Sequence, residues 1–168
     1  RGVATRGYVA GVPMGGELRD AGRHGSPRFL VAASRDALGA NLDRVQVIKG
    51  WIDARGATHE RVHDVAWSDP ATRRPGADGK LPAVGSTVDV KAATWRNSIG
   101  AAELATVWED PHFDAQAAAF YYVRVLQIPT PRWTAYDAAR FGVEMPAEVP
   151  MSTQERAYTS PIWYTPRG

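Results

Sequence analysis

The sequence predicts an immunoglobulin-like antiparallel β-sandwich followed by a proline-rich C-terminal tail carrying one or two short helices. Three observations point to it. From Ala118 to Ile128 the chain is apolar, aromatic or β-branched almost without a break, and Pro129 and Pro131 close the run. Such a run reads as a central strand buried on both faces, since proline ends a strand but cannot sit inside its ladder. Strand-like stretches recur along the chain with turn signals between them and no alternating helices, which is the pattern of an all-β sandwich. Lastly, an Asp-rich turn (Asp110-Pro111, Asp114) leads into aromatic residues at the start of the late strand, which suits a tyrosine corner.

The elements follow in order. Tyr8 to Val12 reads as short and extended, broken by Pro13-Met14-Gly15-Gly16. Pro27 launches a buried strand over Arg28 to Ala33, and Leu42 to Asp53 is a longer one. Asp53-Ala54-Arg55-Gly56 has hairpin chemistry, because glycine takes a positive φ freely. The return strand is Thr58 to Trp67. Ser68 to Gly85 holds three prolines and three glycines and no apolar period, so it reads as a loop. Thr87 to Val90 is expected to be a further strand, and Asn97 to Asp110 to be extended from Leu104. Residues 1–128 would form the sandwich and 129–168 the tail, where six of the twelve prolines lie. Within the tail, Thr134-Ala-Tyr-Asp137 and Ser152-Thr-Gln-Glu155 read as capping boxes, with Gly142 placed to end the first helix. The aromatic end, Tyr158 to Pro166, is too apolar for a disordered tail and must dock on something.

Composition narrows the function classes. The chain has 168 residues, 44% hydrophobic and 23% charged, ordinary for one globular domain. Its 20 basic and 18 acidic residues are scattered, which argues against a nucleic-acid or membrane surface. No apolar stretch approaches the roughly 20 residues of a membrane helix. The absence of cysteine excludes disulfides, thiolate chemistry and cysteine-ligated zinc. A start at Arg1-Gly2-Val3 reads as a piece of a longer protein.

Candidate chemistry is sparse. His59-Glu60-Arg61-Val62-His63 matches the H-E-x-x-H pattern of zinc proteases, but that chemistry needs a helix. In a strand the two imidazoles share a face roughly 13 Å apart, with Glu60 on the other side. Trp108 to Asp114 gathers three carboxylates and an imidazole, as a hard-cation site would, although Asp110-Pro111 and Asp114 also serve as turn formers. Lys49, at the end of a strand, would need a pocket to act. Arg124, a charge inside an apolar strand, is costly unless paired. It belongs at an interface with a missing domain or beside a carboxylate such as Asp89 or Glu103. No catalytic, cofactor-binding or metal-ligating residue is assigned. Arg132, Trp133, Arg156, Trp163 and Tyr164 mix charge with aromatic area and form the candidate interaction surface.

Several stretches carry a resemblance. They are Gly11 to Leu18, Pro27 to Ala33, Val45 to Trp51, Asn97 to Gly100, Ala119 to Leu126, Pro129 to Trp133 and Glu155 to Pro166. Together they resemble the C-terminal part of the bacterial domain of unknown function 3604 family, over essentially the whole chain. The resemblance implies a larger protein whose N-terminal part resembles the PHP metal-dependent phosphoesterases, a possible hydrolase. That part would hold any divalent metal and be this chain's partner, and export to the periplasm or medium would follow. No residue here matches a metal ligand of that barrel. On this reading the chain is an accessory C-terminal domain without a self-contained active site. The alternative is an independent β-sandwich binding module for carbohydrate or protein.

Overall fold

A computed structural model of the chain describes residues 5, 7–9, 11–19 and 25–166. The fold is mainly β. The described residues form ten strands, β1 (Glu17–Leu18), β2 (Arg28–Ser34), β3 (Leu42–Ile52), β4 (Thr58–Trp67), β5 (Glu103–Glu109), β6 (Ala119–Gln127), β7 (Thr130–Pro131), β8 (Ser152–Thr153), β9 (Arg156–Tyr158) and β10 (Ile162–Tyr164). A helix, α1 (Trp133–Phe141), lies between β7 and β8.

The main sheet has six strands in the order β1-β10-β6-β3-β4, with β9 also paired to β6. Among the described strands only β1 and β10 run parallel. β9 and β10 occupy one edge of β6 in succession, Tyr158 opposite Arg124 and Ile162 opposite Tyr121. A second layer, the β2–β5 ribbon, covers one face of this sheet, and β7–β8 make a small separate ladder.

The apolar run at 118–128 is central, as expected, because β6 is bonded on both edges. Its neighbour β3 is buried almost throughout, so its residues cannot alternate inward and outward as those of a one-sided strand do. Phe29 and Val31 of β2 and Leu104 of β5 close over Val45, Val47 and Tyr121 to make the core. Phe29 and Tyr121 rings meet at 4.6 Å. Each such side chain contributes about 1.5–3 kcal/mol of transfer free energy.

The hairpin forms where Asp53 and Gly56 foretell it. Asp53 Oδ1 accepts from the Arg55 and Ala57 N–H groups at 2.9 Å each, and Gly56 has φ of 81°. Residues 68–85 carry no helix or strand. Arg73 pins them: its Nε donates to Pro82 O at 2.8 Å, and its Nη groups reach Ser68 Oγ at 3.0 Å and the Asp43 carboxylate.

Four local expectations need correction. Residues 7–9 are helical rather than extended, with Gly11 N–H donating to Gly7 O at 2.9 Å. Thr87 to Val90 is no strand: among the described residues its one ladder pairing is the Asp89–Thr94 bridge of a tight turn. Thr134 does not cap a helix. α1 begins after Arg132, which makes no side-chain cap, and the Thr134 hydroxyl instead donates to Pro150 O at 2.6 Å. Ser152 begins no helix either, because Ser152–Thr153 pairs with Thr130–Pro131. Gly142 does end α1, left-handed at φ 67° with its N–H on Ala138 O.

Candidate interaction surface

Cross-strand pairing decides which side chains share a face, since directly opposed residues point the same way. Trp163 opposes Phe120, Phe120 opposes Gly50, Tyr122 opposes Ile48, and Tyr158 opposes Arg124. All of these therefore lie on the face of the main sheet turned away from the ribbon. There the rings form a continuous row. Trp163 to Phe120 is 5.5 Å between centroids, Phe120 to Tyr122 is 6.3 Å, and Tyr122 to Tyr158 is 6.2 Å. Gly50 makes the row possible. A Cβ there would stand 2.3 Å from Phe120 Cζ, so the ring lies where only glycine leaves room. Trp163 is 50% exposed and Tyr158 57%.

The row continues into a polar chain on the same face. Arg124 Nε donates to Gln46 Oε1 at 2.7 Å, and Gln46 Nε2 donates to Asp64 Oδ1 at 2.7 Å. Arg44 bridges Asp64 at 3.3 Å and Asp43 at 3.1 Å. Gln154 Nε2 reaches Asp43 Oδ2 at 3.1 Å and Gln127 O at 3.0 Å, fastening the late part of the chain to β3 and β6. Arg124 is thus satisfied by a neutral amide that relays to Asp64, and not by Asp89 or Glu103.

Beneath the ribbon lies a charged centre. Lys49 Nζ donates to Asp110 Oδ2 at 2.6 Å and to His112 O at 2.7 Å, with both side chains buried. Tyr121 Oη donates to Asp110 Oδ2 at 2.8 Å, and His112 N–H to Oδ1 at 2.9 Å. Burial acts to raise the Asp110 carboxyl, but the Lys49 ammonium, the His112 N–H and the Tyr121 hydroxyl outweigh it and hold it below the ordinary value. Burial, with the adjacent carboxylate, pushes the Tyr121 phenol well above its ordinary range. Every atom of this centre is engaged, so it ties β3, β6 and the turn after β5 together.

A family model described as protein of unknown function, DUF3604, matches residues 1–166. The chain belongs to the DUF3604 family. No curated protein and no solved structure matches it.

The geometry sorts the remaining candidates in this DUF3604 chain. His59 to His63 is strand, with His59 opposite Trp51, Glu60 opposite Gly50 and His63 opposite Val47, so Glu60 faces away from both imidazoles. His59 Nε2 instead meets Asp53 Oδ2 at 2.9 Å and its ring stacks on Trp51. Around the turn at 110–114, Asp110 serves the buried centre and Asp114 Oδ1 accepts from Gln116 N–H at 2.8 Å. Among the described residues no group of three or more His, Asp or Glu side chains is placed to hold a metal ion.

The five residues expected to form one surface fall in separate places. Trp163 and Arg156 share the outer face of the main sheet, at opposite ends of the β6 edge. Tyr164 points the other way, 4% exposed in the core, with its hydroxyl on Ala115 O at 2.8 Å. Arg132 and Trp133 stand at the start of α1. There Trp133, Tyr136 and Phe141 are exposed while Thr134 and Ala135 are buried. Phe120, Tyr122 and Tyr158, the middle of the row, were hidden by their place in runs that read as core or tail. The signal that could have found them is the even spacing of Phe120, Tyr122 and Arg124 along a strand whose odd positions Ala119 and Tyr121 are buried.

Proposed function

We propose that this chain is an accessory C-terminal domain of a larger protein related to the PHP metal-dependent phosphoesterases, with no active site of its own. On this reading it packs against the catalytic part, completes its fold and shapes the rim of the site. Residues 1–128 are taken as the sandwich and 129–168 as the docking tail, and the two layers as an immunoglobulin-like sandwich whose second layer is a ribbon. The observation that carries the proposal is the Trp163–Phe120–Tyr122–Tyr158 row. A continuous, half-exposed aromatic stripe on a sheet face is the kind of surface that a partner covers.

The test is to mix the 168-residue chain with the separately expressed catalytic part and measure association by calorimetry. Buried Trp and Tyr anchors typically carry 2 kcal/mol or more. Trp163→Ser and Tyr158→Ser should therefore each weaken association by about 30-fold. Association that neither variant affects would refute the docking face. A second reading rests on the same row: an open aromatic platform also suits an independent module for carbohydrate or protein. Saturable binding of a soluble polysaccharide, lost in Trp163→Ser, with no association between the two parts, would favour it.

A further inference from the structure

His59, His63 and His112, the three histidines among the described residues, stand at one corner of the fold. His59, Arg61 and His63 alternate along one face of β4, opposite Trp51, Lys49 and Val47 of β3. Val47 belongs to the core, so this is the face that the ribbon covers, and the aromatic row lies on the other. The turn after β5 brings His112 to the same corner. Its ring is 6.5 Å from that of His63, and its carbonyl oxygen is 2.7 Å from Lys49 Nζ.

The charges at this corner divide into two sets by their partners. Lys49 is matched by Asp110, and His59 meets Asp53. Arg61 and His112, both exposed, form no side-chain hydrogen bond or ion pair among the described residues, and His63 Nε2 is buried without one. Burial disfavours a proton on the His63 imidazole. Asp110 opposes this, but its oxygens already accept from Lys49, Tyr121 and the His112 N–H. Arg61 of the same strand, His112 of the turn and Lys49 of β3 add their repulsion. Trp108, which β5 lays against His63 with ring centroids 4.9 Å apart, carries no charge. Arg61 is also held in place, its guanidinium carbon 5.8 Å from the centroid of the Trp51 ring. Such a contact engages the plane of the guanidinium and leaves its N–H fork free.

We infer that this corner binds a tetrahedral oxyanion, the sulfate or phosphate group of a ligand, between Arg61, His112 and His63. Arg61 grips two oxygens with its fork, His112 donates through a ring N–H, and His63 adds a positive charge once it takes up a proton. That proton is costly beside three cations and becomes cheaper when an anion sits among them. Anion uptake and proton uptake therefore reinforce one another, by reciprocal linkage. Binding tightens as pH falls, whereas Arg61 alone would hold the anion equally at every pH in this range. The site is on the face opposite the aromatic row and rests on neither reading of that row.

The probe is sodium sulfate, which keeps its charge across the range in which histidine titrates, added to the 168-residue chain with ionic strength held constant by chloride. The readout is the imidazole C–H resonances. Saturable shifts of the His63 and His112 signals are expected, with binding at least about threefold tighter at about pH 5.5 than at about pH 7.5. Arg61→Gln should weaken binding by about tenfold, and Arg140→Gln, on α1, should leave it unchanged. His112→Gln keeps a donor that cannot titrate, so it should reduce the pH dependence while binding at the higher pH persists. Methyl phosphate run beside sulfate tells the two groups apart, and saturable binding of either supports the inference. Shifts no larger than chloride alone produces overturn it, as does binding that is equal at both pH values or unaffected by Arg61→Gln. The wild-type titrations decide the matter even if a variant fails to fold.

Discussion

Replacing Asp110 with asparagine should destabilise the fold more than any surface change. Asp110 is fully buried and accepts from Lys49, Tyr121 and the His112 N–H. The amide keeps the size but removes the charge, and it sets an NH₂ donor where other donors point. Lys49, 4% exposed, keeps the His112 carbonyl at 2.7 Å and the faces of the Trp51 and Tyr121 rings at 5.3 and 5.8 Å, none of which carries a negative charge. Breaking one partner of a buried pair costs about 3–5 kcal/mol, a large part of a total of about 5–15 kcal/mol. With a urea m-value near 2 kcal/mol/M, the midpoint should fall by about 2 M. Lys49→Met with Asp110→Asn removes both charges and should recover about 2–3 kcal/mol of the loss, read as a double-mutant coupling. The assay is urea unfolding followed by far-UV circular dichroism and tryptophan fluorescence together, to confirm a single transition. The native Asp110 carboxyl titrates below its unfolded value of about 3.9. Its stabilisation is therefore full above that value and disappears as pH falls through the lower, folded one, and Asp110→Asn should erase that slope. A single-variant loss under about 1 kcal/mol, or a double variant worse than the sum of the singles, would refute the reasoning.

Three further outcomes follow from the same structure. His63 Nε2 is buried and has no hydrogen-bond partner among the described residues, its ring 4.9 Å from that of Trp108. Burial holds the imidazole below its ordinary value; Asp110 opposes this, while Arg61, His112 and Lys49 add to it. The unfolded chain thus takes up a proton near pH 6.5 that the folded chain refuses. Stability should fall as pH drops below that value, and His63→Phe should flatten that part of a melting-temperature profile. Gly50→Ala would put a methyl group into the Phe120 ring and should cost about 1–3 kcal/mol, largely restored by Phe120→Leu in a chemical-denaturation series. Arg73→Ala would leave the Asp43 carboxylate without its partner from the 68–85 loop. Limited proteolysis should then cut first within 74–81, well before the wild-type chain is cleaved there.

Much of the fold was legible because strands β2 to β6 are written in local terms. Runs such as Phe29-Leu30-Val31 and Ala119 to Leu126, bounded by Pro27, Gly56 and Pro129, specify strand and turn within a few residues of chain. The misreadings arose where a distant partner decides. Thr134 has the sequence of a cap, but its hydroxyl donates to Pro150 O, supplied by the segment just before β8, the strand that pairs with β7. Thr87 to Val90 has strand composition, yet its one ladder pairing among the described residues is within a tight turn. The same limit hid the buried centre, since Lys49 and Asp110 are 61 residues apart and Asp110 satisfies every local test for a turn former. The aromatic row was half visible: Trp163 was read as surface, yet its neighbours Phe120 and Tyr122 come from a strand whose alternate residues form the core.

The sheet order carries a consequence for how the molecule is made. β10 lies between β6 and β1, so the early Glu17–Leu18 segment has no strand to pair with until Ile162–Tyr164 has been synthesised. At about 5–20 residues per second, the interval after β6 leaves the ribosome lasts for seconds. Throughout it, one edge of β6 is bare and the place of Tyr164 in the core stands open. A nascent chain paused before residue 162 is therefore the form most exposed to pairing with the wrong strand, and translation of Ile162–Tyr164 is the step that seals the sheet.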